Sequence, residues 1–233
     1  MNHSKLVFRS TSVGPAIRGS GNRTQETRQL GAFDRLEVHG PFAVELLPGE
    51  TGAARLEGDD NLLPLVKMDA DGGLLTVRLQ GEDGDGLSVT AEQPIALRLP
   101  VRNLSRIQAH SMADVRAAAT LRGSSLELEC HGSAKVDLPV EAQELVEEVK
   151  GNAAVNLSGR VARHVVQASG SSEVHALDLA ADVCEVRASG SADVEVAASQ
   201  KLQARASGKA RIAYRGDATV SQSLSGNGRI ERA

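Results

Sequence analysis

Tryptophan is absent from this chain of 233 residues, and the remaining aromatics number only four: Phe8, Phe33, Phe42 and Tyr214. A core so poor in rings has to be filled by Val, Leu, Ile and Ala, which suits a thin, regular interior better than a broad sandwich core. The same scarcity removes the stacking platforms that single-stranded nucleic acids and sugars use. A concentrated cationic field is missing too. The formal net charge is −4, with 26 basic and 30 acidic residues mixed along the chain, so no nucleic-acid partner is expected. No apolar run approaches the roughly 20 residues of a membrane span. Cysteine is nearly absent, with only Cys130 and Cys184.

What the chain has in quantity is glycine, 23 residues of it, placed at regular intervals. A short phrase of Gly, Ser and Ala ending in a β-branched residue recurs down the second half. It reads His110-Ser111-Met112-Ala113-Asp114-Val115, His131-Gly132-Ser133-Ala134-Lys135-Val136 and Lys150-Gly151-Asn152-Ala153-Ala154-Val155. It continues at Ser169 to Val174, Ser189 to Val194, Ser207 to Ile212 and Ser225 to Ile230. Measured at the glycine (Ser111 in the first copy) the steps are 21, 19, 19, 20, 18 and 18 residues. Seven units at so steady a spacing mean one small structural unit stacked on itself.

Aligning the units on that glycine sorts the side chains into columns. Two residues before it stand Cys130, Val149, Ala168, Ala188, Ala206 and Leu224; four after it stand Val136, Val155, Val174, Val194, Ile212 and Ile230. The positions between are polar. Period-two alternation marks strands with one buried face, and its recurrence at the same offsets predicts a parallel β-helix in which each coil adds one rung to each sheet. The glycine falls between two strand stretches, where a sharp corner is expected. In this register the two cysteines lie three rungs apart in different columns, roughly 14 Å at ~4.8 Å per rung, too far to bridge. Both are expected to be buried free thiols.

Residues 28–100 carry a weaker version of the phrase, and they are read as the N-terminal part of the β-helix with less regular strands that cap or widen one end. Residues 101–233 hold the regular repeats. Residues 1–27 are Ser, Gly and Arg rich and read as a disordered segment or linker. Their one apolar cluster, Leu6-Val7-Phe8, is shorter than the ~7–15 residues of an export signal. By itself this predicts either a cytosolic chain or one whose export signal lies outside this sequence.

The run Phe33 to Leu46, the segment Glu57-Gly58-Asp59-Asp60-Asn61-Leu62-Leu63-Pro64 and the serial Ser-Gly-Ser-Ala-Asp-Val phrases together resemble the putative auto-transporter adhesin, head GIN domain family, over roughly residues 28–230. The resemblance implies a right-handed, single-stranded parallel β-helix in bacterial proteins of the periplasm or cell surface. It brings no catalytic residues with it.

Three histidines share the column before the aligned position: His39, His110 and His131. His110 and His131 are expected on adjacent rungs, and His39 joins them only if the Gly40 rung stacks directly on that of Ser111. Imidazole clusters bind transition metals, so these three are the weak metal candidates; a solvated polar ladder is the favoured reading. His164 falls in a column otherwise made of Leu126, Leu145, Cys184, Leu202 and Val220, where a neutral, hydrogen-bonded core histidine or a local bulge is expected. The acidic loop Glu82 to Gly86 lacks the full spacing of a calcium loop and reads as a hairpin turn, as does Asp69 to Gly73. Glu173 and Asp193, on adjacent rungs with Arg211 beyond, read as a mixed-charge solvated face rather than a metal or sugar contact.

No catalytic or cofactor-binding residue, metal site or cofactor is therefore assigned, and the chain is not expected to be an enzyme. The leading expectation is a bacterial cell-envelope or surface module for adhesion or protein contact, with a protein or cell-surface partner. A cytosolic scaffold that self-associates through open helix ends is the second, since no cap is visible after Ile230. A carbohydrate-active enzyme is the third.

Overall fold

The structure, a computed structural model, describes residues 17–50, 52–80, 87 and 89–233. The loop Glu82 to Gly86 therefore lies outside the described residues. The regular part comprises the later strands β10 (Arg106–His110), β11 (Asp114–Ala117), β12 (Leu121–Gly132), β13 (Lys135–Gly151), β14 (Ala154–Gly170), β15 (Glu173–Ala188), β16 (Asp193–Ala206), β17 (Arg211–Arg215), β18 (Thr219–Leu224) and β19 (Arg229–Arg232). Each pairs in parallel with its equivalent one coil away, giving a β-solenoid of about seven turns of about 19 residues.

The columns read from the sequence are the columns of the solid. Leu126 stands opposite Leu145, Leu145 opposite His164, His164 opposite Cys184, and Cys184 opposite Leu202. Val136, Val155, Val174, Val194 and Ile212 form another continuous row, each at most 1% exposed. Burying a side chain of this size contributes about 1.5–3 kcal/mol, repeated on every rung. The interior of the regular coils is lined mainly by aliphatic side chains, with His164 and Glu147 among its few polar members.

The corner glycines explain the repeat. Gly132, Gly151, Gly170, Gly190, Gly208 and Gly226 all have φ between +66° and +85°, backbone that costs an L side chain energy. The amide after each corner donates to the carbonyl of the corner residue one coil before, as from Asn152 to Gly132 at 2.7 Å and from Ser171 to Gly151 at 2.8 Å. This carries the ladder through the bend and brings that carbonyl close. A Cβ at Gly170 would sit 2.8 Å from the Gly151 oxygen. Ser111 occupies the same corner in its coil, with φ +63°.

The N-terminal strands are β1 (Ile17–Arg18), β2 (Arg23–Gln29), β3 (Arg35–His39), β4 (Phe42–Pro48), β5 (Ala53–Asp59), β6 (Val66–Asp71), β7 (Leu74–Leu79), β8 (Val89–Thr90) and β9 (Ile95–Val101). Here space and sequence part company. β3 lies between β7 and β10, and β4 between β9 and β11. The chain thus builds the second coil, returns to build the first, and then crosses to the third. Antiparallel strands cover the outer edge: β6 on β7, β5 on β9, and β2 on β5. Such covering blunts the exposed edge of a stack. Phe33 and Phe42 are buried at this wider end, and Gly72 and Gly73, at φ +53° and +84°, turn the β6–β7 hairpin.

One reading needs correction. The segment 1–27, read as a disordered linker, contains β1 and the start of β2 among its described residues, and β2 is paired along its whole length with β5. β2 reads Arg-Thr-Gln-Glu-Thr-Arg-Gln and buries no residue fully. It is held by backbone pairing, so hydrophobic periodicity had nothing to register. Among the described residues no helix is long and apolar enough to cross a membrane. Both cysteines are buried and free, as their columns imply.

Candidate functional site

Because β3 stacks on β10, the condition for His39 to join the other histidines is met. His39 is the direct partner of His110, and the β10–β12 register carries the column on to His131. The His39 and His110 rings are stacked, with centroids 4.5 Å apart and planes 6° from parallel. His110 and His131 meet edge to face at 5.2 Å. Alternation puts Glu37 on the same outward face two residues before His39. Its Oε1 lies 2.8 Å from His39 Nε2 and 3.9 Å from His110 Nε2, and its Oε2 accepts from Thr76 Oγ1 at 3.4 Å. The Nε2 atoms of His110 and His131 are both buried and have no hydrogen-bond partner among the described residues, an unusual state for a buried polar atom.

The surroundings of His110 disfavour its charged form. Burial first, then the neighbouring His39 and His131, lower the pKa of His110 below the usual histidine value. Arg78 on β7 and Lys150 on β13 flank the column. Each has a carboxylate of its own: Arg78 pairs with Asp69 at 3.0 Å, and Lys150 with Glu148. Glu129, two rungs from Glu37 in the same column, is committed to Gln108 and Arg106. Burial opposes its ionisation, but those two hydrogen bonds prevail and hold its carboxyl below the usual range. Glu37 is therefore the carboxylate left to face the histidines.

A second constellation lies inside the coil. His164 is a fully buried, hydrogen-bonded core histidine, as its column implies, but its partner is a carboxylate, which favours the imidazolium over the neutral form expected. Its Nε2 is 2.7 Å from Oε1 of Glu147, which is also fully buried, and its Nδ1 lies 4.0 Å from Cys184 Sγ. Burial works against the imidazolium, but the Glu147 carboxylate and Cys184 outweigh it and raise the His164 pKa to about 10. Burial and Glu147 push the Cys130 thiol up to about 12. The sequence reading missed Glu147. The same alignment contains it: four residues before the corner stand Leu128, Glu147, Val166, Val186 and Ala204, one carboxylate in an apolar column.

The outward faces carry two further ladders. Arg211 pairs with Asp193 at 3.0 Å, Glu195 at 3.6 Å and Glu231 at 2.6 Å, while His175 lies 3.7 Å from Glu173 and 3.2 Å from Glu195. The carboxylates Glu173 and Asp193 are thus part of a charge network. On the neighbouring face Lys150, Ser169, Arg187, Ser189, Arg205 and Ser207 line a shallow groove along the stack. Arg187 and Arg205 are direct partners on adjacent coils, and both are exposed.

Fold and sites together define a class: a short parallel β-solenoid, capped by antiparallel strands, that displays periodic polar ladders and keeps a Cys-His-Glu trio sealed in its core. The chain belongs to the family described as putative auto-transporter adhesin, head GIN domain, which matches residues 32–218. Solved structures share the fold. A putative adhesin from Bacteroides fragilis superimposes with TM-score 0.84 at 21% identity, covering 93% of this chain and all of that one. A putative adhesin from Parabacteroides merdae gives 0.73 at 20%, and a putative lipid binding protein from Parabacteroides distasonis 0.74 at 21%, each covering 94% of this chain and all of its own. No curated protein matches.

Proposed function

We propose that this chain is a non-catalytic module of the bacterial cell envelope, displayed for adhesion, and that its contact face is the groove of Arg187, Arg205 and the serine ladder, beyond the Lys150–Glu148 pair at its end. The observation that carries the reading is the groove's periodicity. Guanidinium groups repeat on adjacent coils beside hydroxyls at the same spacing, on a backbone held rigid by continuous parallel pairing. A rigid periodic array with cationic groups is complementary to a cell-surface glycan bearing anionic groups at repeating intervals. Family membership supports the adhesive role and the envelope location. The Cys184-His164-Glu147 trio, each member 0% exposed, lies beyond the reach of a substrate and is read as structural.

The test is fractionation of the source cells with protease treatment of the intact cells, followed by binding of the purified chain to acidic polysaccharide. Envelope recovery, with binding lost in R187E/R205E, is the expected result. Recovery only from the cytosol, or binding that the double substitution leaves unchanged, overturns the reading.

A further inference from the structure

We propose that Glu37, His39 and His110, with His131 as a fourth donor, form a binding site for one divalent transition-metal ion of the zinc class, which clips the out-of-order N-terminal coils to the regular stack. The inference is independent of the adhesive reading.

The donor set has the right chemistry. Imidazole nitrogens with a carboxylate oxygen suit zinc and its neighbours, and zinc takes four such donors in a tetrahedron. One ligand atom each from Glu37, His39 and His110 lie within 4.8 Å of one another. Tetrahedral bonds of about 2.0–2.1 Å hold donors about 3.3 Å apart, so the three have to close by an ångström or so. Side-chain rotation has to supply this, with Glu37, His39 and His110 24%, 42% and 19% exposed and the stacked His39 and His110 rings turning out of parallel. His39 ligation through Nε2 moves its proton to Nδ1, and Glu37 turns from the hydrogen bond to the ion.

Two independent observations point the same way. The Nε2 atoms of His110 and His131 are buried without any partner among the described residues, and an ion between them would satisfy both. The competing groups nearby are already engaged: Glu129 by Arg106 and Gln108, Arg78 by Asp69, Lys150 by Glu148. The position adds a purpose. The ligands come from β3, β10 and β12, three successive rungs, across the joint where chain order and spatial order differ. An ion held there ties residue 39 to residues 110 and 131 and so stabilises the folded joint.

The experiment is calorimetric titration of Zn2+ into the untagged full chain, with the Co2+ absorption spectrum reporting coordination number and thermal denaturation run with and without Zn2+. Expected are one equivalent of Zn2+ bound, a four-coordinate Co2+ spectrum and a melting temperature raised by Zn2+. H110N is expected to weaken binding about 100-fold or more and E37Q about 10–100-fold, the range for groups that ligate or orient a metal. H175N, in the exposed cluster with Glu173 and Glu195, is the control and keeps full affinity. Circular dichroism of the metal-free variants checks folding, and E37Q keeps the test decisive if H110N misfolds. No saturable Zn2+ binding below millimolar concentration overturns the proposal. So does binding that survives both H110N and E37Q, or that H175N abolishes.

Discussion

Replacing Glu147 or His164 alone by leucine is expected to damage this protein badly, and replacing both to leave it intact. Each group is fully buried, and the two are joined at 2.7 Å. Removing one partner strands the other's charge in an apolar column, at a cost of about 3–5 kcal/mol. The raised pKa of His164 gives the same scale. At about 1.4 kcal/mol per unit, a rise from 6.5 to about 10 is worth on the order of 5 kcal/mol. For a chain of this size 1 kcal/mol moves the melting temperature by about 2–4 °C, so E147L and H164L should each melt about 10 °C lower. In the double variant the new side chain at position 147 would stand between Leu128 and Val166, and the one at position 164 between Leu145 and Cys184. Both extend existing aliphatic rows, and the outcome should lie between neutral and about 4 kcal/mol stabilising.

The pH dependence has a definite sign. A histidine whose pKa is higher in the folded state binds more protons there, so its contribution is complete below pH 6.5 and is lost as pH rises toward about 10. Between pH 7 and 8.5 the wild type should lose about 2 kcal/mol by this route, and the double variant should not. Above that range Cys130, whose folded pKa is also raised, adds a slope of the same sign. Thermal melts by circular dichroism across this range decide the matter. A double variant destabilised by the sum of the two single effects, or a single variant that melts like the wild type, refutes the reasoning.

The remaining expectations concern the coil itself. Ser111→Gly relieves the left-handed backbone at φ +63° and is expected to stabilise by about 0.5–1 kcal/mol, raising the melting temperature a few degrees. Gly170→Ala places a Cβ 2.8 Å from the Gly151 carbonyl at φ +85° and should cost about 1–3 kcal/mol in urea denaturation. Gly52→Ala, with nothing within 4 Å, should be close to neutral. Val194→Asp puts an unpaired charge between Val174 and Ile212 in a column of 0% exposure and should abolish cooperative melting.

Glycine spacing and the columns aligned on it determined the architecture of the regular coils, because the same corner recurs at every turn and its dihedral and the carbonyl beneath it favour glycine, with Ser111 the one other occupant. Once the corners were aligned, the partners of Leu145, His164, Cys184 and Val194 followed by counting, since parallel pairing preserves offset from the corner. The same arithmetic placed His110 next to His131. It also contained Glu147, which became meaningful only when the pair with His164 was seen, because a diagonal contact between neighbouring columns is invisible in either column alone. Two things the tertiary structure alone decided. The polar strand Arg23–Gln29 is held by backbone hydrogen bonds, which carry no side-chain period. The spatial order of the first coils, which sets His39 between Arg78 and His110, depends on which strand edges meet, and residues so far apart in sequence leave no local trace of that choice.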